Sequence, residues 1–194
     1  MIMIVSYSDT PVGPYDELMY IPGRWKYKSV TAGYRITRIY VSSQESTENG
    51  RRNWNIPKHV ADFSITTLNE ETKIKVSRPG ATEPFFHVKI KPISFLSRIP
   101  IPFNTSILGD FFTLTQPPLP VNPAVKDTEE PVISHWATVS PSLKGNAYAE
   151  RVIPQLDGKV GDGQGFPAII PWSVGLYAPQ MIGKFGFAAF ADYE

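Results

Sequence analysis

The chain has 194 residues, of which 42% are hydrophobic and 19% charged, enough to bury a sizeable core in one domain spanning 1–194. A formal net charge of +1 leaves no electrostatic footprint for nucleic acid and no polybasic anchor for a membrane surface. The chain has no cysteine, which excludes disulfides, thiolate metal sites and cysteine nucleophiles, and the three histidines, His59, His87 and His135, are too dispersed for a zinc motif.

The apolar run at the start, MIMIV, is shorter than the roughly 7–15 residues of a signal-peptide core. No stretch approaches the roughly 18 apolar residues of a membrane helix. The expectation is a cytoplasmic protein. The 19 prolines and 14 glycines cut the chain into short pieces, which favours strands and turns over long helices.

Residues 1–7 read as a strand, 8–14 (SDTPVGP) as a turn, and 15–21 as a returning strand. Asp16 and Glu17 must point to opposite faces of it, so at most one looks inward. Residues 34–42 alternate as a further strand, with Ile36, Arg38 and Tyr40 on one face. Ser42 and Glu45 match a capping box, which predicts a short helix over 43–53 ended by Asn55-Ile56-Pro57. Lys58 then opens a strand over 58–68, and Asn69-Glu70 turns it into a hairpin with TKIKVS.

Residues 85–92 alternate with Phe86, Val88 and Ile90 inward and His87 in solvent among lysines. A strand is expected over 110–116, a surface loop over 118–132, and weaker strands over 133–140 and 146–153. The glycine-rich 157–167 reads as a mobile loop, and the C-terminal MIGKFGFAAFADY fits helix or strand. His135 reads as structural. The sum is a mainly β protein, an antiparallel closed or partly open barrel with one or two short helices.

Lys58 has two readings. It is a strand-start lysine with its amine in water, or an amine that attacks carbonyls. The second requires a neutral amine, hence a pKa well below the free value of about 10.4, obtained from apolar surroundings or a neighbouring cation. Trp54 and Ile56 supply the first; Arg51, Arg52 or His59 supply the second. Glu17 is an edge carboxylate or an inward one that orients a substrate and moves a proton. Arg51 complements the helix dipole or binds a substrate carboxylate.

The stretches YSDTPVGPYDEL and RIYVSSQESTENGRRNWNIPKH resemble the acetoacetate decarboxylase-like superfamily, and most nearly its fungal members. The family's core motif is Gly-Arg, five variable residues, then Pro-Lys. Gly50, Arg51, Pro57 and Lys58 match it, and Tyr15 and Glu17 match the upstream Tyr-x-Glu. The resemblance implies a lyase-type enzyme in which Lys58 forms a Schiff base with a β-keto acid or related small carbonyl substrate. Decarboxylation is the default reaction, and Glu17 is the second catalytic group. Arg51, Tyr15, Trp54 and His59 are the expected substrate-binding residues, and no cofactor or metal is implied. Two departures stand out. His59 replaces the second lysine of the decarboxylases, and the family's further N-terminal strands, which help close the barrel, are expected to be missing. An edge left open there favours homo-oligomers. The alternative is a non-catalytic β-barrel binding module that holds a small apolar or carbonyl ligand.

Overall fold

The computed structural model describes residues 1–27, 30–119 and 134–191. The expected loop over 118–132 therefore lies almost wholly outside the described residues. In chain order the strands are β1 (Ile2–Tyr7), β2 (Tyr15–Tyr20), β3 (Arg24–Trp25), β4 (Gly33–Tyr34) and β5 (Arg38–Val41). Helix α1 (Gln44–Trp54) follows, then β6 (Lys58–Val60), β7 (Asp62–Leu68), β8 (Glu71–Ser77) and β9 (Pro84–Pro92). The rest are β10 (Ile101–Asn104), β11 (Leu114–Gln116), β12 (Trp136–Val139), β13 (Ser142–Pro154), β14 (Val174–Tyr177), β15 (Met181–Lys184) and β16 (Ala189–Ala191). The chain is mainly β, as expected, and its C-terminal segment carries strands β15 and β16. Among the described residues no helix is long and apolar enough to cross a membrane.

Two compact units result. The first comprises Met1–Val60, Thr105–Ser142 and Gly183–Glu194. It holds a sheet of order β1-β2-β5-β6 and a second of order β16-β12-β11-β4-β3. Its core gathers Met19, Ile21, Ile36, Ile39, Val41, Ile56, Leu114 and Val139. The other unit, Ala61–Asn104 with Leu143–Ile182, is built on the order β10-β13-β9-β8-β7, with β14 and β15 also on β13. Ile74, Val76, Phe85, Phe86, Val88, Val160 and Phe166 are buried there.

No sheet closes on itself among the described residues. The pairings are also mixed, since β5 runs parallel to β6 and β4 parallel to β11. The coarse expectation of a β-rich fold thus stands, while the all-antiparallel pairing is corrected. β5 and β6 run parallel because helix α1 carries the chain back between them, and two predicted strands break and change sheet. The predicted 34–42 strand divides at residues 35–37, so that β4 joins β11 while β5 joins β2. Gly33 permits this crossing, because a Cβ there would lie 2.5 Å from Thr115 Oγ1 and 2.8 Å from the Thr113 carbonyl. The predicted 58–68 strand breaks at buried Ala61, with β6 staying beside β5 and β7 pairing with β8.

The β7–β8 hairpin forms as predicted, with Asn69 and Glu70 at φ 48° and 64°, the left-handed pair that two-residue hairpin turns require. The predicted 110–116 strand keeps only Leu114–Gln116, because Thr105–Phe112 coils as 3₁₀ turns with Gly109 at φ 52° between them. The glycine-rich 157–167 stretch is fixed. Asp162 Oδ1 accepts from the amides of Gln164, Gly165 and Phe166 at 2.8, 2.8 and 3.2 Å. The Phe166 ring meets Phe86 edge-on. His87 is half-buried rather than solvated, its Nε2 shielded and without a hydrogen-bond partner. His135 has the structural place expected of it, its carbonyl accepting from Asn55 Nδ2 at 2.7 Å and its ring against Phe190.

Helix α1 starts one residue later than the capping box implies. Ser43 is the N-cap, its Oγ accepting from the Ser46 amide at 3.1 Å. Ser42 is drawn off to β2, where its Oγ accepts from the Asp16 amide. The helix ends at Asn55, in the left-handed region at φ 53° and fully buried. Replacing Asn55 by Ala removes the bond to His135 and puts a Cβ in a conformation that Asn tolerates and Ala does not. The expected loss is about 2 kcal/mol in denaturant unfolding. Asn55→Gly, which keeps the backbone freedom, is expected to lose less.

Candidate functional site

Cross-strand partners in a sheet share a face, and the register of the first sheet collects one set of residues. Met3, Val5 and Tyr7 of β1 stand opposite Met19, Glu17 and Tyr15 of β2. Glu17 and Met19 stand opposite Val41 and Ile39 of β5, which in turn stand opposite Val60 and Lys58 of β6. Apolar side chains on this face enter the core. The four polar ones, Tyr7, Tyr15, Glu17 and Lys58, form a cluster inside it.

Helix α1 covers that cluster with an unusual surface. Its buried residues are Ser46, Thr47, Gly50 and Arg51, one helical face by spacing but small or polar in composition. Lys58 Nζ lies 2.8 Å from Glu17 Oε2, and both side chains are more than nine-tenths buried. The same nitrogen donates to Ser46 Oγ at 2.9 Å and to Tyr15 Oη at 3.4 Å. It also lies 4.9 Å from the centre of the Tyr15 ring. Tyr7 stacks against Tyr15 and donates to Glu17 Oε1 at 3.4 Å. Burial first, then the Glu17 charge, holds the Tyr7 phenol far above its ordinary pKa, so it acts as a proton-bearing donor.

The spacing from Gly50 to Lys58 has a physical reason. The Gly50 carbonyl accepts from the amides of both Asn55 and Ile56, which turns the chain back at the helix end. The Lys58 amide then closes on the Ile56 carbonyl at 2.7 Å across Pro57. This brings the lysine stem over Gly50, where a Cβ would lie 2.6 Å from Lys58 Cδ and 2.8 Å from Cε. Gly50 therefore clamps the returning chain and leaves the space through which its lysine passes.

The other sequence-derived residues are more dispersed. Arg51 is buried on the same helix face, and its charge reaches His59. Trp54 turns toward the C-terminal segment, its indole N–H donating to the Gly186 carbonyl at 2.9 Å and its ring against Phe185. His59 occupies the opposite face of β6 from Lys58, solvent-exposed and beside Tyr40. Partial desolvation, then the charges of Arg51 and Arg38, lowers its pKa below the ordinary imidazole value. Ser46 and Tyr7 are the members that sequence reading missed. Ser46 is legible only as one of the small residues at i and i+4 with Gly50 on a helix lacking an apolar stripe. Tyr7 is legible only through its register with Tyr15.

The arrangement supplies a buried amine, a carboxylate in direct contact to take or return its proton, and hydroxyls to orient the pair. Removing one partner of such a pair leaves an uncompensated buried charge, at a cost of about 3–5 kcal/mol. Among the described residues no group of three or more His, Cys, Asp or Glu side chains is placed to hold a metal.

Comparison with known proteins follows the same lines. No family model matches the sequence. A 65-residue stretch is 35% identical to Protein NEOXANTHIN-DEFICIENT 1 of Oryza sativa subsp. japonica, covering 34% of this chain and 21% of that protein, about a fifth of its length. Among solved structures, the acetoacetate decarboxylase of Legionella pneumophila superposes on 99% of this chain with a TM-score of 0.57 at 10% identity. The chain covers 70% of that decarboxylase. The enduracididine biosynthesis enzyme MppR, in its complex with pyruvate, superposes on 94% of this chain with a TM-score of 0.56 at 13% identity, 68% of that enzyme being covered. The likeness is one of fold, shared with these two solved enzymes.

Two expectations follow from the geometry. Gly50→Ala drives a methyl group into the lysine stem, and the resulting overpacking is expected to cost about 1–3 kcal/mol. A variant as stable as the parent in urea unfolding would show that the stem moves aside freely. The second concerns pH. His59 and His87 both have folded-state pKa values below the ordinary 6.5, the latter through burial and then the charges of Lys75, Lys73 and Lys89. Below about 6.5 the unfolded chain binds protons that the folded one refuses, so stability falls as pH drops through this range. Stability–pH curves should be flatter between pH 7 and 5 in the His59→Gln, His87→Gln double variant.

Proposed function

We propose that the protein forms a Schiff base between Lys58 and a small oxo acid, with decarboxylation of a β-keto acid as its reaction. The observation that carries this is the fully engaged, buried Lys58 Nζ, 2.8 Å from Glu17 and 2.9 Å from Ser46. A lysine kept only for solubility has no reason to be withdrawn from water and surrounded by fixed acceptors. The fold shared with a decarboxylase and with an enzyme found with pyruvate bound supports the same substrate class. The expected pocket-lining barrel belongs to this reading as well.

The chemistry uses the chain's own groups. The Lys58 ammonium passes a proton to Glu17, and the neutral amine attacks the ketone carbon as the C=O electron pair moves to oxygen. Glu17 returns its proton to that oxygen, and loss of water leaves a protonated imine. The C–CO₂ bond then breaks, its electrons flowing into the iminium to give an enamine and carbon dioxide. Protonation at carbon and hydrolysis release the ketone and restore the amine. Tyr7 keeps Glu17 oriented, and Arg51 is the cation for the substrate carboxylate.

One observation favours a binding module without turnover. Nζ donates to Glu17, Ser46 and Tyr15 together, so every N–H bond of the ammonium has an acceptor and the amine is held at rest. Borohydride reduction in the presence of acetoacetate or pyruvate separates the two. The enzyme reading expects a stable mass increment on the Lys58 peptide, absent in Lys58→Ala, and carbon dioxide release from acetoacetate that falls at least 100-fold in the same variant. Ligand binding with no adduct from either acid would assign the site to the binding module.

A further inference from the structure

The sheet of the second unit gathers charges that the sequence keeps apart. Its lysines alternate with apolar residues, as in TKIKVS and VKIKP, so no run of like charge shows. The strands lie in the order β7-β8-β9-β13, with β14 on the far edge of β13. Across this order Lys73 stands opposite Lys89, Lys75 opposite His87, and Lys91 opposite Arg151. Cross-strand partners share a face. This face is the reverse of the one on which Ile74, Val76, Phe86 and Val88 are buried.

The arrangement costs stability. Like charges directly opposite in a ladder repel, and Lys73–Lys89 and Lys91–Arg151 are two such pairs. Among the described strand residues two carboxylates share the face. Glu71 lies 3.0 Å from Lys89, and Asp62 is turned to the Gly80 amide, which donates to its Oδ2 at 2.8 Å. Five cations thus face two carboxylates on a chain whose formal net charge is only +1. The crowding registers at His87, whose pKa is held down by burial and then by the charges of Lys75, Lys73 and Lys89.

The outer strands β7 and β14 carry no Lys or Arg; on this face they present apolar side chains. Leu68 stands opposite Glu71 at one margin, and Val174 opposite Arg151 at the other. Leu68 is 74% exposed, and Leu176, on the same face as Val174, is 70% exposed. With strands about 4.8 Å apart, the two margins stand roughly 20 Å from each other with the cations between them.

We propose that this face docks on an anionic phospholipid bilayer, with the cations against the headgroup phosphates and Leu68, Val174 and Leu176 in the headgroup–acyl boundary. Charge complementarity selects an anionic partner. It excludes the same face of a second copy, which would set like charge on like charge. The apolar margins then choose among anionic partners. A nucleic acid offers phosphates to the cations and nothing to the two leucines, and a single strand would need aromatic side chains on which to stack its bases. A bilayer meets both requirements, because anionic headgroups attract Lys and Arg while apolar side chains bury at the boundary. Headgroup charge also relieves the opposed cation pairs, which gives the fold a reason to keep them. The docking is independent of the chemistry at Lys58.

Flotation of the full 194-residue chain with vesicles tests it. The parent is expected to float with phosphatidylcholine vesicles containing about 30% phosphatidylserine at about 0.1 M salt, to lose most of that binding at about 0.5 M, and to stay down with phosphatidylcholine alone. The Lys73→Thr, Lys91→Thr double variant is expected to partition roughly 25-fold more weakly, about fivefold per cation removed. Its Tm is expected to rise, since both opposed pairs are relieved. The Leu68→Ser, Leu176→Ser double variant is expected to bind about tenfold more weakly with the same salt dependence. Should the lysine variant unfold, the lipid and salt dependence of the parent decides. A parent that ignores the phosphatidylserine vesicles, one that floats equally on phosphatidylcholine alone, binding that survives the lysine substitutions in a folded variant, or tighter binding to an oligonucleotide at the same salt would each overturn the proposal.

Discussion

The first unit is organised around an ion pair that has lost its water. Lys58 and Glu17 meet at 2.8 Å with both side chains almost wholly buried. Withdrawing two charges from solvent costs several kcal/mol per ion, which mutual attraction offsets only when the remaining donors and acceptors are also satisfied. Each surrounding feature meets part of that requirement. Ser46 and Tyr15 accept the other ammonium protons, Tyr7 serves the second carboxylate oxygen, and the sheet's apolar residues exclude water around them. An apolar pair of similar volume would serve stability as well, so the retention of charge here points toward function.

Placing that pair demands a particular backbone. β2 and β6 are not neighbours in the sheet; β5 lies between them. The lysine therefore has to reach across, and helix α1, lying between β5 and β6 in the chain, has to leave room for it. Gly50 is where those demands coincide. Its carbonyl reverses the chain and its missing side chain gives passage to the lysine stem. The Gly-Arg, five residues, Pro-Lys pattern is thus a geometric statement: one helix turn, a left-handed exit at Asn55, a rigid proline, and a strand that begins with the amine aimed back under the helix.

The likeness to acetoacetate decarboxylase and MppR, at 10–13% identity, is a likeness of fold. A shared fold by itself leaves the reaction open. In this chain the groups gathered around Lys58 are Glu17, Tyr15 and Ser46, with Tyr7 on Glu17. His59, the residue after Lys58, is sent by the parity of β6 to the other face. Its ring stands beside Tyr40, and the polar contacts of the Lys58 amine are with the carboxylate and the hydroxyls.

By itself the sequence determined the β-rich class, the β1–β2 and β7–β8 hairpins and the helix before Lys58. These depend on local period and turn residues, which act over short stretches of chain, whereas the grouping of Lys58 with Glu17 and Tyr15 was legible only through resemblance to a known family. Tertiary structure decided what depends on distant partners. The strands predicted over 34–42 and 58–68 alternate without interruption in the sequence, yet each divides between two sheets because the neighbours that claim its halves are far away in the chain. Ser42 lost the cap to Ser43 because β2 claimed its hydroxyl. Trp54 went to the Gly186 carbonyl instead of the lysine, and Ser46, an unremarked polar residue in a polar helix, became an acceptor for the ammonium. Side-chain period reports which face a residue occupies; only the assembled sheet and helix decide what that face meets.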